Sequence, residues 1–80
     1  MKNEKKIIEI LSEFTEVDPA DIKPDSGLVT DLGLTSLDVI DMITAFEDEY
    51  DIEIKDKDIR QLHTVQDIDK YIEQAKLLKK

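Results

Sequence analysis

Eighty residues with 20 acidic and 11 basic side chains carry a formal net charge of −9, and 40% of the chain is apolar. A chain this short buries roughly 60 to 65% of its unfolded surface, enough for one small core but not for a second lobe closing a deep catalytic cleft, so a large-substrate enzyme is excluded. The absence of cysteine removes disulfides, thiolate nucleophiles and thiolate metal sites together, and points to the cytoplasm. No apolar run exceeds two residues, so neither a signal peptide nor membrane insertion is expected. The charge excludes nucleic acid as a direct ligand, because phosphate binding needs clustered Lys and Arg. Residues 31–58 hold ten acids and two bases, −8 of the total, so the field that steers a basic partner lies in the central third.

In chain order, Ile7, Ile10, Leu11 and Phe14 recur at i, i+3, i+4 and i+7, which predicts an amphipathic helix over about 3–15, its apolar face widened by Ile8. Pro19, Pro24, Gly27 and Gly33, the chain's only helix breakers, follow close together. Residues 16–34 therefore read as a long ordered loop, anchored by Val17, Ile22, Leu28, Val29, Leu32 and Leu34. Thr35, with Asp38 three residues later, opens a second helix in a capping-box pattern. Its inner stripe is Val39, Met42, Ile43, Phe46 and Tyr50, which leaves Leu37 and Ile40 exposed. Tyr50, Ile52 and Ile54 alternate like a strand, but the chain offers no second strand, so this is an extended link. Asp56 caps a short helix carrying Ile59 and Leu62. Thr64 and Asp67 repeat the capping pattern before Val65, Ile68, Ile72 and Ala75, and Lys76, Lys79 and Lys80 suit that helix's C-terminus. The fold class is all-α: three main helices and one short one.

The chemistry centres on Ser36, where a Gly-containing loop meets the most acidic helix. Serine at such a junction is ordinarily a cap. Here Thr35 can fill that role, leaving the Ser36 hydroxyl free to carry an anionic modification among unpaired N–H groups at the positive end of the helix. No catalytic site is expected. Ser36, His63 and an Asp lack a Gly-x-Ser-x-Gly elbow. No metal site is expected either: an EF-hand loop counted from Asp51 meets Asp56 where Gly belongs and Leu62 where Glu belongs.

The run Asp31-Leu32-Gly33-Leu34-Thr35-Ser36-Leu37-Asp38, continuing into the acid-rich stretch to Tyr50, resembles the acyl carrier proteins of type II fatty acid and polyketide synthesis. The resemblance extends over nearly the whole chain, through Pro24-Asp25-Ser26, Tyr50-Asp51-Ile52-Glu53-Ile54 and Thr64-Val65-Gln66-Asp67. It implies a monomeric four-helix carrier domain over residues 1–80. Ser36 would bear a covalent phosphopantetheine arm, transferred from coenzyme A by a carrier-protein synthase (a phosphopantetheinyl transferase), with the cargo held as a thioester on the terminal thiol. Asp38, Asp41, Glu47, Asp48 and Glu49 would dock basic surfaces of acyl-processing enzymes, with Leu37 and Ile40 as apolar contacts. Ile43, Phe46, Ile54, Ile59, Leu62 and Ile68 would line a pocket for the acyl chain. The chain departs from the family at Thr35, where Asp is usual. Fatty acid synthesis is the leading assignment; a specialised polyketide or aminoacyl pathway, or an acidic interaction module without a prosthetic group, are the alternatives at this point.

Overall fold

A computed structural model describes residues 2–78 and contains, among them, four α-helices and no strand. The helices are α1 (Glu4–Leu11), α2 (Ser36–Tyr50), α3 (Asp56–Ile59) and α4 (Val65–Leu78). α1 packs against both α2 and α4. Ile7, Leu11, Met42, Phe46, Val65 and Ile72 are fully buried at the centre of one apolar cluster.

α1 is shorter than its periodicity predicts. Beyond Leu11 the backbone tightens into turns, with Glu13 N–H donating to Ile10 O (3.1 Å) and Phe14 N–H to Leu11 O (2.9 Å). The Ser12 hydroxyl donates to Ile8 O at 2.7 Å and the Thr15 hydroxyl to Leu32 O at 2.7 Å, drawing the chain into the loop. Phe14 still packs against the core, so the apolar spacing runs through a turn. The start of α1 is capped from another helix. Buried Asp69 of α4 accepts from the Asn3 N–H (2.8 Å) and Nδ2 (3.1 Å), while Glu73 accepts from Nδ2 at 2.7 Å. The bond from Asn3 is the main reason the Glu73 carboxyl sits below its ordinary pKa.

The connection between α1 and α2 is ordered by its own side chains. It contains a 3₁₀ turn at Pro19–Asp21, capped by Asp18, and buries Ile22, Leu28, Leu32 and Leu34. Val29, expected as an anchor, is instead 62% exposed. The N–H groups of Asp31 and Leu32 both reach Gly27 O at 3.0 Å. That tight turn puts Leu28 and Leu32 inside and Val29 outside. Gly33 adopts φ +69°, the left-handed region where a side chain is strained.

The same loop closes the start of α4. Val65 N–H donates to Ser26 O (3.1 Å) and Gln66 N–H to Pro24 O (2.8 Å), satisfying two donors that have no partner within the helix. The capping box forms as expected, with Thr64 N–H on the Asp67 carboxylate at 3.1 Å and Asp67 N–H on the Thr64 hydroxyl at 3.2 Å. Partial burial opposes ionisation of Asp67, but the N–H groups of His63 and Thr64 outweigh it and hold its pKa below the ordinary 3.8. This contribution is fully present above the unfolded carboxylate's pKa and is lost as the pH falls through the lower folded value. Asp67→Asn should therefore be destabilised by about 1 kcal/mol at neutral pH, and the gap should narrow below about pH 4. Urea titrations across that range check it; a gap independent of pH would contradict the assignment.

On the far side of α2 one boundary follows the inner stripe and the next, at α3, differs from expectation. Tyr50 is the last residue of α2, and Asp51 ends the helix in the left-handed region at φ 53°. α3 begins at Asp56 with Lys55 in the capping position, and stops at Ile59, so Leu62 lies in the turn beyond it. The turn is closed by Gln61 N–H to Asp58 O (3.0 Å) and Leu62 N–H to Ile59 O (3.1 Å), bonds too short in sequence to continue an α-helix. Lys76 is in the last turn of α4; Lys79 and Lys80 lie outside the described residues.

Candidate functional site

α2 starts at Ser36 because Thr35 caps it. The Thr35 side chain accepts from Asp38 N–H (3.2 Å), and the Asp38 carboxylate accepts from Thr35 N–H (3.1 Å). Val39 N–H then takes the Thr35 carbonyl at 3.0 Å. Ser36 follows as the first helical residue, exposed, and its hydroxyl has no hydrogen-bond partner among the described residues. The other two serines are occupied: Ser12 donates to Ile8 O, and buried Ser26 accepts from Lys23 N–H at 2.9 Å. An accessible, uncommitted hydroxyl at the positive end of a 15-residue helix fits a group joined through a phosphodiester.

Around Ser36, Leu37 is 74% and Ile40 54% exposed. The acids of α2 divide into two sets. Asp38 is committed to the capping box, the Glu47 carboxylate accepts from Ile54 N–H at 2.8 Å, and Glu49 pairs with Lys6 at 3.0 Å. Asp41 and Asp48 are exposed and make no hydrogen bond or ion pair among the described residues. The outward stripe of α2 thus runs from apolar Leu37 and Ile40 to acidic Asp41 and Asp48.

Of the residues expected to line an acyl pocket, Ile43, Phe46, Ile54, Leu62 and Ile68 are buried together in the core, with Ile59 half-buried against them. They pack as side chains in contact. A cleft of about 870 Å³ lies between the link after α2, α3 and α4, and shares only Leu62 with that set. Its wall holds a contact that sequence reasoning missed, in which the Tyr71 hydroxyl of α4 donates to Asp58 of α3 at 2.8 Å. Asp69 was missed as well. Its spacing could have revealed it: four residues after Val65 and three before Ile72, it is an acid on the apolar stripe.

Comparison with known proteins agrees with this geometry. The family model for the phosphopantetheine attachment site matches residues 5–72. The chain is 41% identical over 68 residues to an acyl carrier protein of Bdellovibrio bacteriovorus, covering 85% of this chain and 87% of that one. It is 42% identical over 72 residues to an acyl carrier protein of Solidesulfovibrio magneticus, covering 90% and 92% respectively. Fold and matches together define a carrier rather than an enzyme, with covalently attached phosphopantetheine as its prosthetic group. The chain belongs to the acyl carrier protein family.

Proposed function

We propose that this chain carries the acyl intermediates of fatty acid synthesis as thioesters on a phosphopantetheine arm attached to Ser36, in the cytoplasm. The observation that supports the anchor most strongly is the division of labour at the start of α2, where Thr35 caps the helix and the Ser36 hydroxyl stays uncommitted. When bound, the group supplies the thiol that the cysteine-free chain lacks. The protein's own contribution is positional. The Thr35 box fixes the backbone on which Ser36 sits, and the N–H groups of Ser36 and Leu37, which have no helical acceptor, favour a negative charge beside the hydroxyl.

Docking follows from the outward stripe of α2. Asp41 and Asp48 supply the charge available to a basic enzyme surface, and Leu37 and Ile40 an apolar contact nearer Ser36. Tethered cargo reaches successive enzymes at high effective concentration without release. Thr35 carries no charge beside the anchor, which leaves Asp41 and Asp48 as the uncommitted acids of α2. Incubation with coenzyme A and a broad-specificity carrier synthase, followed by fragment mass mapping, tests the reading. The increment should fall on the peptide containing Ser36; an increment on Ser12 or Ser26 would overturn it.

A further inference from the structure

α3 is the helix with the least holding it in place. It spans four residues, has no side-chain bond at its cap and buries none of its residues. α1, α2 and α4 each bury three or more residues. Ile59 on α3 packs against a core that includes Ile54, Leu62 and Ile68. Among the described residues, the side-chain hydrogen bond from α3 to another helix is the one Asp58 accepts from the Tyr71 hydroxyl at 2.8 Å. Its acceptor is a carboxylate and its donor is half-buried, conditions under which a hydrogen bond holds more than an exposed neutral one. Burial first, and then the bond to Asp58, raises the Tyr71 pKa, so the hydroxyl keeps its proton at neutral pH and remains a donor.

The core beneath is filled by side chains in contact, so an acyl chain enters only if something moves aside. The segment with the fewest buried contacts yields first. We propose that the Tyr71–Asp58 hydrogen bond is a latch that keeps α3 closed over the core, and that it opens when an acyl chain is taken up. Tyr71 is then a positioning residue that sets how readily cargo enters. This inference rests on the carrier reading with Ser36 as the anchor.

Amide hydrogen exchange over residues 57–62 tests it, in the unmodified protein and in the octanoyl form made by synthase transfer from octanoyl-coenzyme A. In the unmodified protein, Tyr71→Phe and Asp58→Ala should each speed exchange about tenfold while α1 and α2 change little. Asp58→Asn, which keeps an acceptor oxygen, should recover most of the protection. In the octanoyl form, wild type and Tyr71→Phe should exchange alike, because the bond is already open. Unchanged exchange in the unmodified Tyr71→Phe protein would overturn the latch. So would a tenfold difference that persists after loading, since the bond would then survive cargo uptake. Absence of an octanoyl mass increment would remove the Ser36 anchor and the proposal with it, an outcome separate from the other two.

Discussion

Replacing Phe46 with alanine should cost about 3–5 kcal/mol of folding stability. Phe46 is fully buried on α2, in one cluster with Ile7 and Leu11 of α1 and Ile72 of α4, so its ring is packed from several sides. A chain of this size holds roughly 4–12 kcal/mol in all, and the variant should be partly unfolded at 37 °C. Thermal melts by circular dichroism measure the loss; a melting temperature within a few degrees of wild type would mean that Phe46 is not central to the core. The cavity left behind also bears on cargo. An alkyl chain that enters this core would fill part of the cavity, at roughly 0.8 kcal/mol per buried methylene. Octanoylation should then raise the melting temperature of Phe46→Ala more than that of wild type; an equal rise in both would place the acyl chain away from Phe46, and no change in either would place it in solvent.

Reversing Asp41 and Asp48 together to lysine should slow modification by the synthase about 10- to 100-fold at low ionic strength, acting mainly on association. Both side chains are exposed and lack internal partners among the described residues, so stability should change by no more than about 0.5 kcal/mol. The difference from wild type should shrink as salt is added. Asp38 and Glu47 cannot serve as clean probes, because their carboxylates hold the backbone of Thr35 and Ile54. Stopped-flow kinetics at two salt concentrations decides the matter. A reversed variant modified at the wild-type rate in low salt would leave the acids of α2 as a solvated face.

The helices were legible where a local rule determined them. Thr35 with Asp38 and Thr64 with Asp67 form the capping boxes that their spacing announces, and α2 and α4 begin where those pairs put them. The stripe Met42, Ile43, Phe46 and the stripe Val65, Ile68, Ile72 are buried as a 3.6-residue period requires. What escaped the sequence was set by distant partners. Hydrogen bonds to Ile8 and Leu32 end the α1 region earlier than the spacing of Phe14 suggests, and the turn closed on Gly27 O exposes Val29. Asp69 meets Asn3 across 66 positions, and Tyr71 meets Asp58 across 13, pairings that no local pattern encodes. At the proposed site, an exposed and uncommitted Ser36 hydroxyl was legible from its place after a second hydroxyl residue that takes the cap. The division of the α2 acids into internal and outward sets was not, because it depends on where Ile54 and Lys6 lie in the folded chain.

The central claim is that Ser36 alone carries the arm, and intact-mass analysis of Ser36→Ala beside wild type tests it most directly. Both proteins are incubated with coenzyme A and a broad-specificity carrier synthase, and their helical circular dichroism is recorded. Because Thr35 keeps the cap of α2, the variant should retain wild-type helicity. Wild type should gain a single phosphopantetheine increment and the variant none; a folded Ser36→Ala protein that still gains the increment would contradict the account.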